Sequence, residues 1–119
     1  MFWADKIILA AKNRFAKKIS DEQELIIRDE KTCSGRVHVG SLRGIAIHGI
    51  LKQIFDAEKI PAKFIFEIND FDPMDDCPPI LQKTHEQFLG QPLFAVPPPE
   101  NSTAKNFAEH FAAEFISVI

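Results

Sequence analysis

The segment Ser34-Gly35-Arg36-Val37-His38-Val39-Gly40-Ser41 gathers residue types suited to holding an anion. Arg36 is a permanent cation, and Arg43 adds a second shortly after it. His38, expected in the first turn of a helix, reads as a neutral hydrogen-bond donor to a phosphate oxygen and not as a fixed charge. Gly35 is able to take a positive φ, and Gly40 removes a side chain where a ligand would approach the backbone. The segment follows a strand-like run and opens a long apolar helix pattern, where free N–H groups and the helix dipole favour negative charge. Gly40, Gly44 and Gly49 each lower helix propensity by roughly 1 kcal/mol relative to alanine, which suggests close packing on a strand or ligand. The segment is neither a Walker A sequence nor GxGxxG. From spacing alone, such a loop is more often a turn and cap than a site, so both readings stand.

A second chemical candidate is the acidic stretch NDFDPMDDCPP at 69–79. Its carboxylates follow a strand pattern, so they should stand at the ligand-binding edge of a sheet. Asp75 and Asp76 are expected to be exposed, and the whole stretch also fits a solvated turn. His48 reads as a partly buried structural residue, while His85 and His110 look like surface positions. Phe107, Phe111 and Phe115 share a helical stripe that fits a core better than a base-stacking platform. Lys12, Arg14, Lys17 and Lys18 form a basic patch that reads as a solvated face, with RNA contact as a second option. Cys33 and Cys77 lack metal-ligand spacing, and no metal site is expected from side chains.

These candidates must be positioned by a simple order of elements. Residues 2–18 carry a helical pattern with Trp3, Ile7, Ala10, Ala11 and Phe15 on one face. Residues 24–28 read as a buried strand, 30–36 as a loop, and 37–58 as one long helix that Pro61 ends. Residues 62–68 read as a second buried strand, 80–89 as a helix, 91–102 as a proline-rich connection, and 103–118 as a final amphipathic helix with Val118 on its apolar stripe. The central strand–helix–strand is a βαβ unit, so its strands should be parallel with a right-handed crossover. Two parallel strands are too little sheet to be buried on both faces. The expected fold is therefore α/β: an incomplete, N-terminal part of a doubly wound parallel sheet of the Rossmann kind.

Composition sets broad limits. The 119 residues are 45% hydrophobic and 26% charged, ordinary for a globular domain. A net charge of −3 excludes gripping nucleic acid through overall charge; local patches would have to do it. The N-terminal residues carry early charges and no uninterrupted apolar core of a secretory signal, and no apolar run reaches the roughly 20 residues of a membrane span. Reduced thiols and a cytoplasmic location, with no membrane partner, are the expectation.

At this point the residues resemble a known family. Ser34 to Ser41 look like the first signature, the HIGH motif, of class I aminoacyl-tRNA synthetases. FWADKI, SGRVHVGSLRG, FEINDFDPMDD and LGQPLFAVPPPEN…NFAEHFAAEF, in order over nearly the whole chain, resemble class I lysyl-tRNA synthetase. The resemblance implies an enzyme that activates lysine with ATP, Mg2+ accompanying the nucleotide, and attaches it to tRNA(Lys). It implies that residues 1–119 are the N-terminal portion of the nucleotide-binding catalytic domain, with the second half of that fold and an anticodon-binding domain absent. It implies ATP binding by Ser34, Gly35, Arg36, His38, Gly40 and Ser41, with His38 and Ser41 in catalytic positions. Ser41 stands where the signature's last His usually lies, and the family commonly carries Asn or Ser there. Thr32 matches a position lining the lysine pocket. Lysine carries two ammonium groups that need carboxylate partners when desolvated, and Asp70 and Asp72, with Asn69 as a neutral partner, are the candidates.

Two features depart from that pattern. Cys33 stands where family members usually have proline, which would stiffen the turn. A KMSKS-like second signature, whose lysines stabilise the triphosphate, does not occur in these residues. Two other readings follow: a non-catalytic domain that binds nucleotide or lysine, or another adenylyl-transfer enzyme with a HIGH-like loop.

Overall fold

The structure is a computed structural model and describes residues 2–119. It contains five α-helices, α1 (Trp3–Arg14), α2 (Ala16–Ser20), α3 (Arg43–Ala57), α4 (Gln82–His85) and α5 (Phe107–Ile116), and two strands, β1 (Leu25–Thr32) and β2 (Ala62–Asn69). The strands pair in one two-stranded sheet. The Leu25 N–H donates to Pro61 O at the start of both strands, while Asn69 Nδ2 meets Glu30 Oε1 toward their ends. Start pairs with start and end with end, so the sheet is parallel, as the βαβ order requires. The chain divides into two compact units, and both strands begin in the first and end in the second.

The first unit comprises the chain up to Asp29 together with Arg43–Phe66. Its core is Ala4, Ile8, Leu25, Ile27, Leu51, Phe55 and Ile60, with Ala11, Ile19 and Phe64 partly buried against them. The buried face of α1 is therefore Ala4–Ile8–Ala11, one position on from the expected Trp3–Ile7 face. Trp3 and Ile7 remain 40% and 45% exposed. The small Ala4 lets α1 lie close on α3, which a Trp-led face would not. The expected single helix over 2–18 breaks at Phe15, where φ is −110° and the chain turns into α2.

α3 ends in a Schellman arrangement. Ile60 N–H donates to Phe55 O at 2.9 Å, Lys59 N–H donates to Asp56 O at 3.0 Å, and Lys59 takes φ 57°. Ile60 and Phe55 also share the core, so the cap is tied to the packing. Pro61 then starts the run into β2.

The second unit comprises Glu30–Leu42 and Glu67–Ile119. Met74, Leu93, Val96, Phe107 and Phe115 are fully buried, and Phe111, Cys33 and Cys77 nearly so. α5 is capped by Asn106, whose side chain accepts from Glu109 N–H at 2.8 Å, and Glu109 Oε2 accepts from Lys105 N–H at 2.7 Å. The phenylalanine stripe is core, as its spacing indicates, but α5 stops at Ile116 and leaves Val118 54% exposed.

Three other expectations change here. The helix over 80–89 is a series of short turns, Pro79–Leu81, Gln82–His85 and Glu86–Phe88, because the prolines start the run with an i→i+3 bond from Leu81 N–H to Pro78 O. The acidic stretch is not a free solvated turn. Leu93 N–H donates to Asp72 O, Phe94 N–H to Asp70 O, and Met74 N–H to Gln91 O, all between 2.8 and 3.0 Å. His85 is 4% exposed, not a surface residue. Its Nε2 lies 3.1 Å from Pro97 O, its Nδ1 2.7 Å from Thr84 Oγ1, and its ring meets Phe88 and Phe107. Among the described residues no helix is long and apolar enough to cross a membrane.

Candidate functional site

The signature segment leaves β1 at Thr32 and runs without regular structure from Cys33 to His38. A 3-10 turn, Val39–Leu42, follows, and α3 begins only at Arg43. His38 and Gly40 thus precede the α-helix, which corrects the expectation of one helix from residue 37. The 3-10 turn is closed by Ser41 N–H donating to His38 O at 2.8 Å, and the Ser41 hydroxyl accepts from His38 N–H at 3.4 Å. Ser41 is thereby committed to shaping the turn that carries His38.

The glycines divide by role. Gly35 does not adopt a positive φ; among glycines of the described residues Gly90 does. A Cβ on Gly35 would meet Pro78 Cγ at an ordinary 3.5 Å. A Cβ on Gly40 would meet the His38 ring at 3.0 Å, so Gly40 makes room for the imidazole. A Cβ on Gly44 would collide with the Asp29 carboxylate, the close strand packing that its helix position suggested. Gly49 has nothing within 4 Å of that position and does not share this role.

A cavity of about 180 Å³ opens beside the segment, lined by Lys31, Ser34, Gly35, Arg36, His38, Asp76 and Pro78. Four of the six residues expected to bind ATP converge on it: Ser34, Gly35, Arg36 and His38. Gly40 and Ser41 are not in its lining; each contacts His38. Its size falls below the roughly 300–1,000 Å³ of whole-ligand clefts, and suits a phosphate group or two. Arg36 and His38 are exposed enough to reach an anion. Lys31, not among the expected site residues, and Asp76, expected only to be exposed, also line the cavity. Lys31 lies two residues before Cys33 at the end of β1, and that position was the available signal. Asp76 had only its place in an acidic turn.

The residues expected to bind lysine separate into two groups. Thr32 Oγ1 donates to Asp72 Oδ2, joining residues 40 positions apart. Asn69 Oδ1 accepts from Phe71 N–H and Asp72 N–H at 3.0 and 3.2 Å, an Asx turn that fixes the loop holding Asp72. Asp70 is exposed and faces a different cavity of about 340 Å³, lined by Ile68, Lys105, Asn106, Ala108, Glu109 and Ala112. Thr32, Asn69 and Asp72 thus form one assembly, and Asp70 stands apart from it.

Cys33, 1% exposed at the start of the signature, has its thiol pushed up by burial, with Lys31 opposing. Burial likewise raises the Cys77 thiol, and Glu86 and Asp76 add to the effect. Both are neutral packing groups at ordinary pH and poor nucleophiles. Among the described residues no three His, Cys, Asp or Glu side chains group as metal ligands.

The family model described as tRNA synthetases class I (K) matches residues 1–119. The chain belongs to this family. Its relatives include the lysine–tRNA ligase of Methanococcus maripaludis, 31% identical over 117 residues, which covers 98% of this chain and 21% of that protein. That of Methanocaldococcus jannaschii is 32% identical over 120 residues, again 98% of this chain and 21% of the relative. That of Thermoplasma acidophilum is 29% identical over 121 residues, 100% of this chain and 21% of the relative. The chain therefore spans about a fifth of the length of the curated relatives it matches. Within a class I synthetase fold, the parallel pair and the loop after its first strand are the elements found here, with ligands expected beyond the carboxyl ends of the strands.

Proposed function

We propose that this chain is the N-terminal portion of the catalytic domain of an enzyme that activates lysine with ATP and attaches it to tRNA(Lys). The observation that carries the reading is the convergence of Ser34, Gly35, Arg36 and His38 of the family signature on one cavity next to the end of a parallel strand. The family match and the names of the lysine–tRNA ligase relatives support the substrate classes of this reading.

In this reading the cavity receives phosphate oxygens of ATP. Arg36 and Lys31 supply positive charge, and His38, seated by Gly40 and by Ser41, donates a hydrogen bond as charge moves onto the leaving pyrophosphate. Such reactions depend on positioning and charge stabilisation more than on covalent participation. Mg2+ would arrive on the triphosphate and neutralise part of its charge. Asp76 would have to face that ion, since a carboxylate beside phosphate oxygens is repelled. The Thr32–Asp72 pair offers a carboxylate for an ammonium of lysine. Asp70 contributes less directly, from the separate cavity.

The 119 residues hold no KMSKS-like sequence, so catalysis needs a counterpart from outside them. By themselves they would bind substrates without turning them over, the alternative of a non-catalytic nucleotide- or lysine-binding domain. The test is lysine-dependent ATP–pyrophosphate exchange by a protein that carries this chain together with the second signature. Exchange driven by another amino acid and not by lysine would overturn the substrate assignment. The 119-residue chain by itself is expected to bind MgATP without supporting exchange.

A further inference from the structure

Glu114, on α5, lies 77 residues from the signature segment in sequence yet holds it at two points. Its Oε1 accepts from Val37 N–H at 3.1 Å and lies 3.4 Å from Arg36 Nε. A guanidinium has five N–H donors, so engaging Nε leaves the two terminal amino groups able to fork around an anion. α5 is a rigid support. Phe107, Phe111 and Phe115 bury one side of it, and Asn106 caps its start. The Glu114 side chain is 28% exposed, at the edge of that buried stripe. The same helix makes a second contact with the cavity lining: Lys31 Nζ stands 5.7 Å from the centre of the Phe115 ring. Two of the cationic side chains lining the cavity, Arg36 and Lys31, are thus each held by a residue of α5.

We infer that Glu114 is a positioning residue for the signature loop: it fixes the Arg36–Val37 peptide and thereby the places of Arg36 and His38 in the cavity. Residues 33–38 lie outside helix and sheet, so their backbone needs partners from elsewhere to hold one conformation. Glu114 supplies such a partner for Val37, adjacent to His38. The consequence for nucleotide binding rests on the ATP reading above; the holding of the loop does not.

The test uses the full 119-residue chain and reads two quantities. One is amide exchange of Val37 by NMR; the other is MgATP affinity by calorimetry. Glu114→Ala is expected to speed Val37 exchange by about tenfold or more while Phe111 and Phe115 amides stay protected, and to weaken MgATP by about tenfold. Glu114→Gln keeps an acceptor oxygen, so Val37 protection should stay within about threefold of the parent chain. Unchanged Val37 exchange in Glu114→Ala overturns the inference, as does loss of protection in a folded Glu114→Gln. Tighter MgATP binding by Glu114→Ala also overturns it, because the carboxylate would then be competing with phosphate. If the parent chain binds no MgATP but Val37 still responds as expected, the nucleotide reading fails and the positioning role stands.

Discussion

Asp29 and Gly44 are in contact through the space that any larger residue at 44 would fill. The Asp29 carboxylate lies over the Gly44 Cα, and the same carboxylate stands 3.1 Å from His48 Nδ1, which is 2.8 Å from Gly44 O. Strand β1 and helix α3 are thus locked by one carboxylate, one glycine and one imidazole. Gly44→Ala should destabilise the chain by about 1–3 kcal/mol despite alanine's better helix propensity, because Asp29 must turn away from His48. Gly49→Ala, in the same helix with open space around it, should stabilise by about 0.5–1 kcal/mol. Urea unfolding of both variants tests the pair. Equal signs would show that Asp29 moves at no cost.

The Thr32–Asp72 pair yields a second prediction. A neutral donor bonded to a carboxylate typically contributes about 1.5–3 kcal/mol. Thr32→Val leaves Asp72, half-buried, without that donor and should raise the lysine KM about tenfold or more in an exchange-competent protein, with little effect on the ATP KM. Asp72→Asn should act in the same direction. The double variant should cost less than the sum, since each change removes the same contact. Strict additivity would mean that the two side chains act independently on lysine.

His38 carries the third. It lines the same cavity as Arg36, and in the proposed reaction it is the donor to the transferred charge. His38→Ala should slow lysine-dependent exchange by about tenfold or more, the scale of losing one transition-state donor. Gly40→Ala should slow it too, by displacing the ring that now sits 3.0 Å from the Cβ position. If Gly40→Ala impairs exchange and His38→Ala does not, the imidazole is not the acting group.

How much of this was legible beforehand depended on the range of the interactions. The βαβ order was readable because strand-like apolar runs at 24–28 and 62–68 flank one long helical pattern, each legible within a short window. The signature loop was readable from residue types, and Ser34, Gly35, Arg36 and His38 do converge. The face of α1 was misplaced by one residue because Trp3–Ile7 and Ala4–Ile8 both repeat at a four-residue step, and spacing alone does not choose between them. His85 was missed because Gln82, Lys83, Thr84, Glu86 and Gln87 around it are polar; its ring meets Phe88 nearby but also Phe107, and its Nε2 meets Pro97 O, both far along the chain. The pairing of the acidic stretch with Gln91–Phe94 uses backbone groups, which carry no residue signal. Glu114 had none either, being one acidic residue on a helix whose pattern speaks only of its apolar side.

The two thiols give the last prediction, and its sign follows from their burial. Burial disfavours the thiolate, so Cys33 and Cys77 both titrate above the ordinary 9.0 in the folded chain. Above pH 9 the unfolded chain releases these protons first and the folded chain still holds them. Stability contributed by the neutral thiols is therefore complete below about pH 9 and declines as pH rises toward the folded values. Urea midpoints between pH 8 and 10 should fall, and replacing both cysteines with alanine should flatten that part of the profile at the cost of overall stability. Alkylation supplies an independent check. Iodoacetamide at pH 8 should modify the native thiols at least about tenfold more slowly than those of the urea-unfolded chain, because they are both inaccessible and protonated. Rapid native labelling of Cys33 would show that the start of the signature loop opens readily, and that the residue standing in place of proline leaves the turn loose.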